Sequence, residues 1–159
     1  MQPLRGGRLV IDHFTVTVSD MPASRAFYEK ALGPIGYAVR MEYMELVGLG
    51  DETKPYWWLK TGSPVTPPQH IAFRARSRAA VDAFHRAAVE AGARDDGAPG
   101  IREHYHPTYY AAFVVDPVNG HHLEVVTFEV PGGVKKAAAP KKKKAAAKVK
   151  KAAPKKKKR

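Results

Sequence analysis

One strand-like stretch occurs twice, and this constrains the chain more than any other feature. Val10-Ile-Asp-His-Phe-Thr-Val-Thr-Val-Ser19 alternates. Extended, it places Ile11, His13, Thr15 and Thr17 on one face and Asp12, Phe14, Val16 and Val18 on the other. Laying His13 on His70, an offset of 57, needs no gap over the next twenty positions. Gln69-His-Ile-Ala-Phe-Arg-Ala75 repeats the strand, and Ala83-Phe84 falls on Ala26-Phe27. Each copy opens on a strand with a histidine at the same place.

Local signals then predict β-α-β-β-β in both copies. In the first, Ser19 or Asp20 caps a helix with Pro22 in its first turn and Ala23, Ala26, Phe27 and Ala31 along one side. Gly33-Pro34 stops it. Strands follow at 37–44, 44–49 and 56–60, then a proline-rich connector at 61–68. In the second, Ser77 caps a helix with the stripe Ala80, Val81, Phe84, Ala88 and Ala91, ending at Gly92. Residues 95–100 read as loop, with strands at 102–105, 109–115 and 121–128 and a hairpin turn at Asn119-Gly120. The expected class is α+β: two βαβββ modules, about 8–62 and 68–130, forming a curved mixed sheet around a shared cavity with the helices outside. Residues 1–7 read as a flexible N-terminus.

Charge divides the chain at residue 134. Residues 135–159 hold thirteen lysines, one arginine and no acid, leaving thirteen basic against fifteen acidic groups before them. The body is thus net −2 and the tail +14. From Pro131 periodicity ceases, and a segment that cannot bury apolar area while repelling itself is expected to be disordered. Lys141, Lys142, Lys143, Lys144, Lys155, Lys156, Lys157, Lys158 and Arg159 are candidate contacts to nucleic-acid phosphates. Without aromatics in the tail, base stacking is not expected. The chain has no cysteine, which excludes disulfides and thiolate metal ligands and fits a reducing compartment. No apolar leader and no run near the ~18 residues of a membrane span is seen. The expected location is cytoplasmic, nucleoid-associated through the tail, or nuclear in a eukaryotic source.

The face carrying His13, Thr15 and Thr17 lacks large apolar groups, which suits a polar site. His70 is its equivalent in the second copy, with Ala72 and Arg74 on the same face. Glu124 lies between Leu123 and Val125, so its carboxylate points away from two apolar neighbours. Such a charge is costly unless paired or metal-bound. Two histidines and one carboxylate suit a divalent first-row metal with positions left open for water and substrate. Pairing of Glu124 with Arg74 is the metal-free alternative. The pocket candidates are Thr15, Trp58, Arg74, His104, His106, Tyr109, Tyr110 and His122. His104 and His106 face one way if extended, either at the cavity mouth or in a solvated loop. Tyr109 and Tyr110 take opposite faces, as do Trp57 and Trp58, so one of each pair is expected to pack in the core. His121 and His122 are expected at the surface, with His122 on the face of Glu124.

Ile-Asp-His13 with Ser-Arg-Ala-Phe-Tyr28, Gln-His70-Ile-Ala-Phe, and Phe-Val-Val-Asp-Pro117-Val-Asn-Gly120-His-His-Leu-Glu124 together resemble the vicinal oxygen chelate superfamily. That group includes glyoxalase I, fosfomycin-resistance thiol transferases, extradiol dioxygenases and bleomycin-binding proteins. The resemblance spans about residues 8–130. It implies His13, His70 and Glu124 as ligands of a divalent ion, with iron, manganese, zinc and nickel undistinguished, and a homodimer acting on a small oxygen-rich substrate. The implied activity is a lyase or isomerase, or a dioxygenase; a metal-free, resistance-type binding protein is the alternative, and a nucleic-acid-associated protein acting through its tail is another. Two departures stand out. Tyr56-Trp-Trp-Leu-Lys60 carries no acid where four-ligand members have one, and the turn Asp-Pro-Val-Asn-Gly is one residue longer than the usual Asp-Pro-Asp-Gly. The tail resembles the Lys-Ala-Pro tails of linker histones, and Pro-Lys-Lys-Lys-Lys-Arg resembles a nuclear import signal.

Overall fold

In a computed structural model that describes residues 11–130, each copy of the repeat becomes one helix against one four-stranded sheet. The first module runs β1 (Phe14–Val18), α1 (Met21–Leu32), a 3-10 turn (Gly33–Ile35), β2 (Ala38–Tyr43), β3 (Leu46–Gly50) and β4 (Pro55–Thr61). The second runs β5 (His70–Arg74), α2 (Arg78–Glu90), β6 (Arg94–Ile101), β7 (Tyr110–Val115) and β8 (His122–Thr127). The strand orders match, β1-β4-β3-β2 and β5-β8-β7-β6, with one parallel pair in each. The α+β class and the duplicated module are as the sequence predicts. The two sheets are separate: Thr66 of the connector accepts the Thr17 amide and donates its own to the Thr17 carbonyl, taking up hydrogen-bonding groups of β1.

Helix starts follow local chemistry. The Asp20 carboxylate accepts from the Ala23 amide at 2.9 Å, and the Ser77 hydroxyl accepts from Ala80 at 3.2 Å. The buried side of α1 is Ser24, Phe27, Tyr28, Ala31 and Leu32, whereas Ala26 is exposed. The helix is rotated from its predicted stripe because Tyr28 is drawn inward by a polar partner. Its hydroxyl donates to Asp116 at 2.7 Å, and Asp116 is 2% exposed. Asp116 also accepts from the amides of Val118 and Asn119 and from the Asn119 side chain, which in turn donates to Ser24. A carboxylate in the β7–β8 turn thus clasps α1 of the other module. Burial, then the adjacent Asp116 charge, pushes the Tyr28 phenol far above its ordinary value.

Both modules share one core. Trp57, 1% exposed, stacks on Phe14 at 5.7 Å and meets Tyr28, Phe73 and His121 edge-on or tilted. Of the two tryptophans it is the core residue, and Trp58 takes the other face. Contrary to expectation, His121 is fully buried. Its Nδ1 accepts the Gln69 amide at 3.0 Å, which places the ring proton on Nε2, and burial lowers its pKa.

The sequence reading also fails at β6. Arg94-Asp-Asp-Gly-Ala-Pro-Gly-Ile101 is a strand rather than a loop, and 102–105 is turn. An edge strand pairs on one side only, so its register can slip around Gly97 and Gly100 and a proline costs no ladder bond. Among the described residues no helix is long and apolar enough to cross a membrane. The lysine-rich segment lies outside them.

Candidate functional site

The parallel ladder between β5 and β8 sets His70 beside His122 and Ala72 beside Glu124. Partners in register share a face, so His70, Arg74, His122 and Glu124 lie on the open side of the second sheet. Phe73, Leu123 and Val125 lie in the core beneath. His70 Nε2 stands 3.0 Å from Glu124 Oε2, and the Tyr109 hydroxyl donates to Oε1 of the same carboxylate. Glu124 is 4% exposed, so this pairing is what makes its burial tolerable. Burial and the bond to Glu124 push the Tyr109 phenol up to about 12. Arg74 does not serve Glu124. Its guanidinium lies 4.3 Å over the Phe128 ring.

His13 immediately precedes β1. Its Nδ1 is 2.9 Å from Asp12 Oδ1, and Lys54 pairs with the other Asp12 oxygen. The His13 and Lys54 hydrogen bonds hold the Asp12 carboxyl below its ordinary value. His13 and His70 line one cavity of about 410 Å³ at the junction of β1, β4 and β5, walled by Phe14, Tyr56, Trp57 and Phe73. Among the described residues no three His, Asp or Glu side chains are gathered as one ligand set. Of the three candidate ligands the structure joins His70 to Glu124 and leaves His13 on the same cavity, bonded to Asp12. The joined pair makes a hydrogen bond, and its 3.0 Å separation is also that of an N and an O each about 2.1 Å from one ion at a right angle.

The pocket candidates scatter. Thr15 and Trp58 pair across β1 and β4 on the open side of the first sheet. Tyr110 turns to α2, donating to Asp82 at 2.7 Å, so Tyr109 is the one that reaches the site. His104 and His106 lie in an exposed turn and not in a strand. Their neighbours Tyr105, Tyr109 and Phe128 form a ring cluster with centroids 5.2 Å apart in succession, and His106 lies 5.4 Å from Phe128. His122 is exposed as expected, and its Nδ1 is 3.0 Å from Asp96 Oδ2. Asp96 lies in β6, a stretch whose glycines and proline give loop signals and hide this partner from the sequence. Phe128 continues the period-2 face of His122 and Glu124, a signal that could have found it, whereas Tyr105 lies in a turn and carries none.

This duplicated architecture has known relatives. Residues 10–125 match the Glyoxalase/Bleomycin resistance protein/Dioxygenase superfamily. The chain belongs to that superfamily. A glyoxalase/bleomycin resistance protein from Albidiferax ferrireducens T118 is similar at 25% identity over 72% of this chain and 95% of that one, with a TM-score of 0.62. A glyoxalase/bleomycin resistance protein/dioxygenase family enzyme from Burkholderia phytofirmans PsJN shares the fold at 20% identity, covering 75% and 98% of the two chains with a TM-score of 0.58. One from Nocardioides shares it at 16% identity, 80% and 87% coverage and a TM-score of 0.53. No curated protein matches the chain. The joined pair lies on the first and last strands of the second module.

Proposed function

We propose that the chain is a divalent-metal enzyme of this superfamily acting on a small oxygen-rich substrate, with His70 and Glu124 as the preassembled part of a ligand set that His13 completes. The observation that carries this reading is the 3.0 Å pairing of His70 Nε2 with the buried carboxylate of Glu124. A bound ion would act there as a Lewis acid on adjacent substrate oxygens, serving a lyase, isomerase or dioxygenase reaction. Such an N,N,O set suits iron, manganese, zinc and nickel alike. Tyr109 fixes the orientation of Glu124 through Oε1, and Asp12 holds His13 through Nδ1, leaving Nε2 as its free nitrogen. The aromatic walls of the cavity exclude water from one side of the substrate. A homodimer belongs to the same proposal, supported by Met41, Tyr43 and Met44, which are 50%, 63% and 87% exposed around the β2–β3 turn.

A metal-free binding protein is the second reading, favoured by the fact that His70, Glu124 and Tyr109 already satisfy one another. Elemental analysis of the full chain purified without a His tag separates the two. Stoichiometric metal, lost in His70→Ala with the circular dichroism spectrum unchanged, supports the enzyme. A metal-free wild type that still binds small molecules supports the alternative.

For residues 135–159 we propose sequence-independent binding to nucleic-acid phosphates, and with it a nucleoid association. Their +14 charge beside a body of −2 supports this. If Z phosphates are neutralised, DNA affinity falls with a log–log salt slope of about −0.9Z. The chain ending at Gly132 should lose retention while keeping its metal. Equal retention by both chains would refute the assignment.

A further inference from the structure

A second, larger cavity of about 600 Å³ lies between the 3-10 turn after α1, the β3–β4 loop, and the end of β5 with the start of α2. Its walls include Tyr37, Arg40, Asp51, Tyr56, Arg74 and Arg76. We propose that this cleft binds an oxyanion, a carboxylate or phosphate carried on an aromatic or apolar body.

The arginines carry the argument. The salt bridges among the described residues engage Arg25, Lys54, Arg94 and histidines, and none engages Arg40, Arg74 or Arg76. Every Asp and Glu of the chain falls between residues 12 and 129, so no acidic side chain outside the described residues can neutralise these three. Arg40 is oriented by its Nε, which donates to the Gly50 carbonyl at 3.2 Å and leaves both terminal nitrogens without a protein partner among the described residues. Arg74 lines the cleft with its guanidinium 4.3 Å over the Phe128 ring, and direct contact is assigned to Arg40 and Arg76, which have no such ring beneath them among the described residues.

Asp51 and Glu52 also line the cleft and reduce its formal balance to +1, which suits a singly or doubly charged anion rather than a polyanion. Asp51 is turned into its own loop. Its Oδ1 accepts from the Thr53 amide and hydroxyl, and these bonds, more than the distant Arg76 charge, hold its carboxyl below the ordinary value. Tyr56 is fixed by a 2.7 Å bond to Thr53, and its ring lies 6.3 Å from that of Tyr37. Guanidinium groups beside two half-buried phenol rings offer charge-assisted hydrogen bonds to an oxyanion and a flat surface to the body that carries it.

Tyr37 and Tyr56 line both this cleft and the His13–His70 cavity. An anion held by Arg40 and Arg76 therefore has its body directed along a shared wall toward the histidines. That last step rests on the proposed function; oxyanion binding itself does not.

The test is a titration of the full chain with inorganic phosphate, phenyl phosphate and benzoate, followed by the amide resonances of Thr53, Tyr56 and Arg76. These report on the cleft and not on the lysine-rich segment. Saturable shifts are expected, with at least one ring-bearing anion binding about tenfold more tightly than inorganic phosphate through contact with the two tyrosines. The tighter of phenyl phosphate and benzoate identifies the oxyanion. Arg40→Gln and Arg76→Gln should each weaken binding about tenfold, and Arg86→Gln, elsewhere on α2, should not. His70→Ala should lose metal and keep the anion, whereas the double arginine variant should do the reverse. Absence of saturable shifts, or equal affinity in the double variant with its ligand-free spectrum intact, overturns the proposal.

Discussion

The two modules are built on one plan, and at one position they have parted completely. By the repeat offset Thr15 corresponds to Ala72. Thr15 pairs with Trp58 and Ala72 pairs with Glu124, so the indole and the carboxylate occupy equivalent places. Their neighbours on the next strand have exchanged size in compensation. Trp58 faces Gly48, where a Cβ would sit 2.9 Å from the indole, while Glu124 faces Phe113. In the first module the large group covers the sheet and a glycine makes room. In the second, the small acidic group is walled by a phenyl ring and held by His70 and Tyr109. Both sheets have an open face, and among the described residues only that of the second module carries a buried charge. The place that holds an acid in the second module is filled by an aromatic in the first.

The size exchange can be tested directly. Gly48→Ala should destabilise the protein by about 1–3 kcal/mol in urea unfolding, because the new methyl overlaps both the indole and the Pro55 side chain. In a Trp58→Glu background the cost should fall, and the difference measures the coupling of the two positions. Equal costs in both backgrounds would show that Pro55 alone demands the glycine. A smaller effect should mark the second module. The difference absorbance between wild type and Tyr109→Phe should reveal one phenol ionising near about 12. Since burial and then the Glu124 bond raise its folded value, their contribution is fully present below the ordinary tyrosine value near 10 and is lost as pH rises toward about 12. A difference spectrum centred at 10 would mean that Tyr109 is neither buried nor bonded to Glu124.

Local pattern makes the duplication, the strands bearing His70 and Glu124, the strand that begins just after His13, and both helix caps legible, because each rests on neighbours in sequence. It could not reveal the Trp58–Glu124 correspondence, which depends on ladder register. It misread β6, whose glycines and proline are loop signals everywhere except on a sheet edge. A place beside a turn is a surface signal, yet His121 is buried. Its burial follows from the Gln69 amide in β5's approach, a partner 52 residues away. The sequence groups His70 with Glu124 and offers Tyr109 as a pocket residue, but the Tyr109–Glu124 bond depends on the β7–β8 pairing and is not legible from neighbours in sequence.

The clasp between Tyr28 and Asp116 has a consequence for the chain as it is made. These partners are 88 residues apart, and Asp116 belongs to the last hairpin. At translation rates of about 5–20 residues per second, α1 waits about 4–18 s on the ribosome for the acceptor of its buried hydroxyl. Phe73, which closes the core over Trp57, also arrives from the second module. The first copy, though synthesised first and whole, must remain an unfinished half until the second emerges, so on the ribosome this duplicated protein folds as one late event rather than as two successive ones.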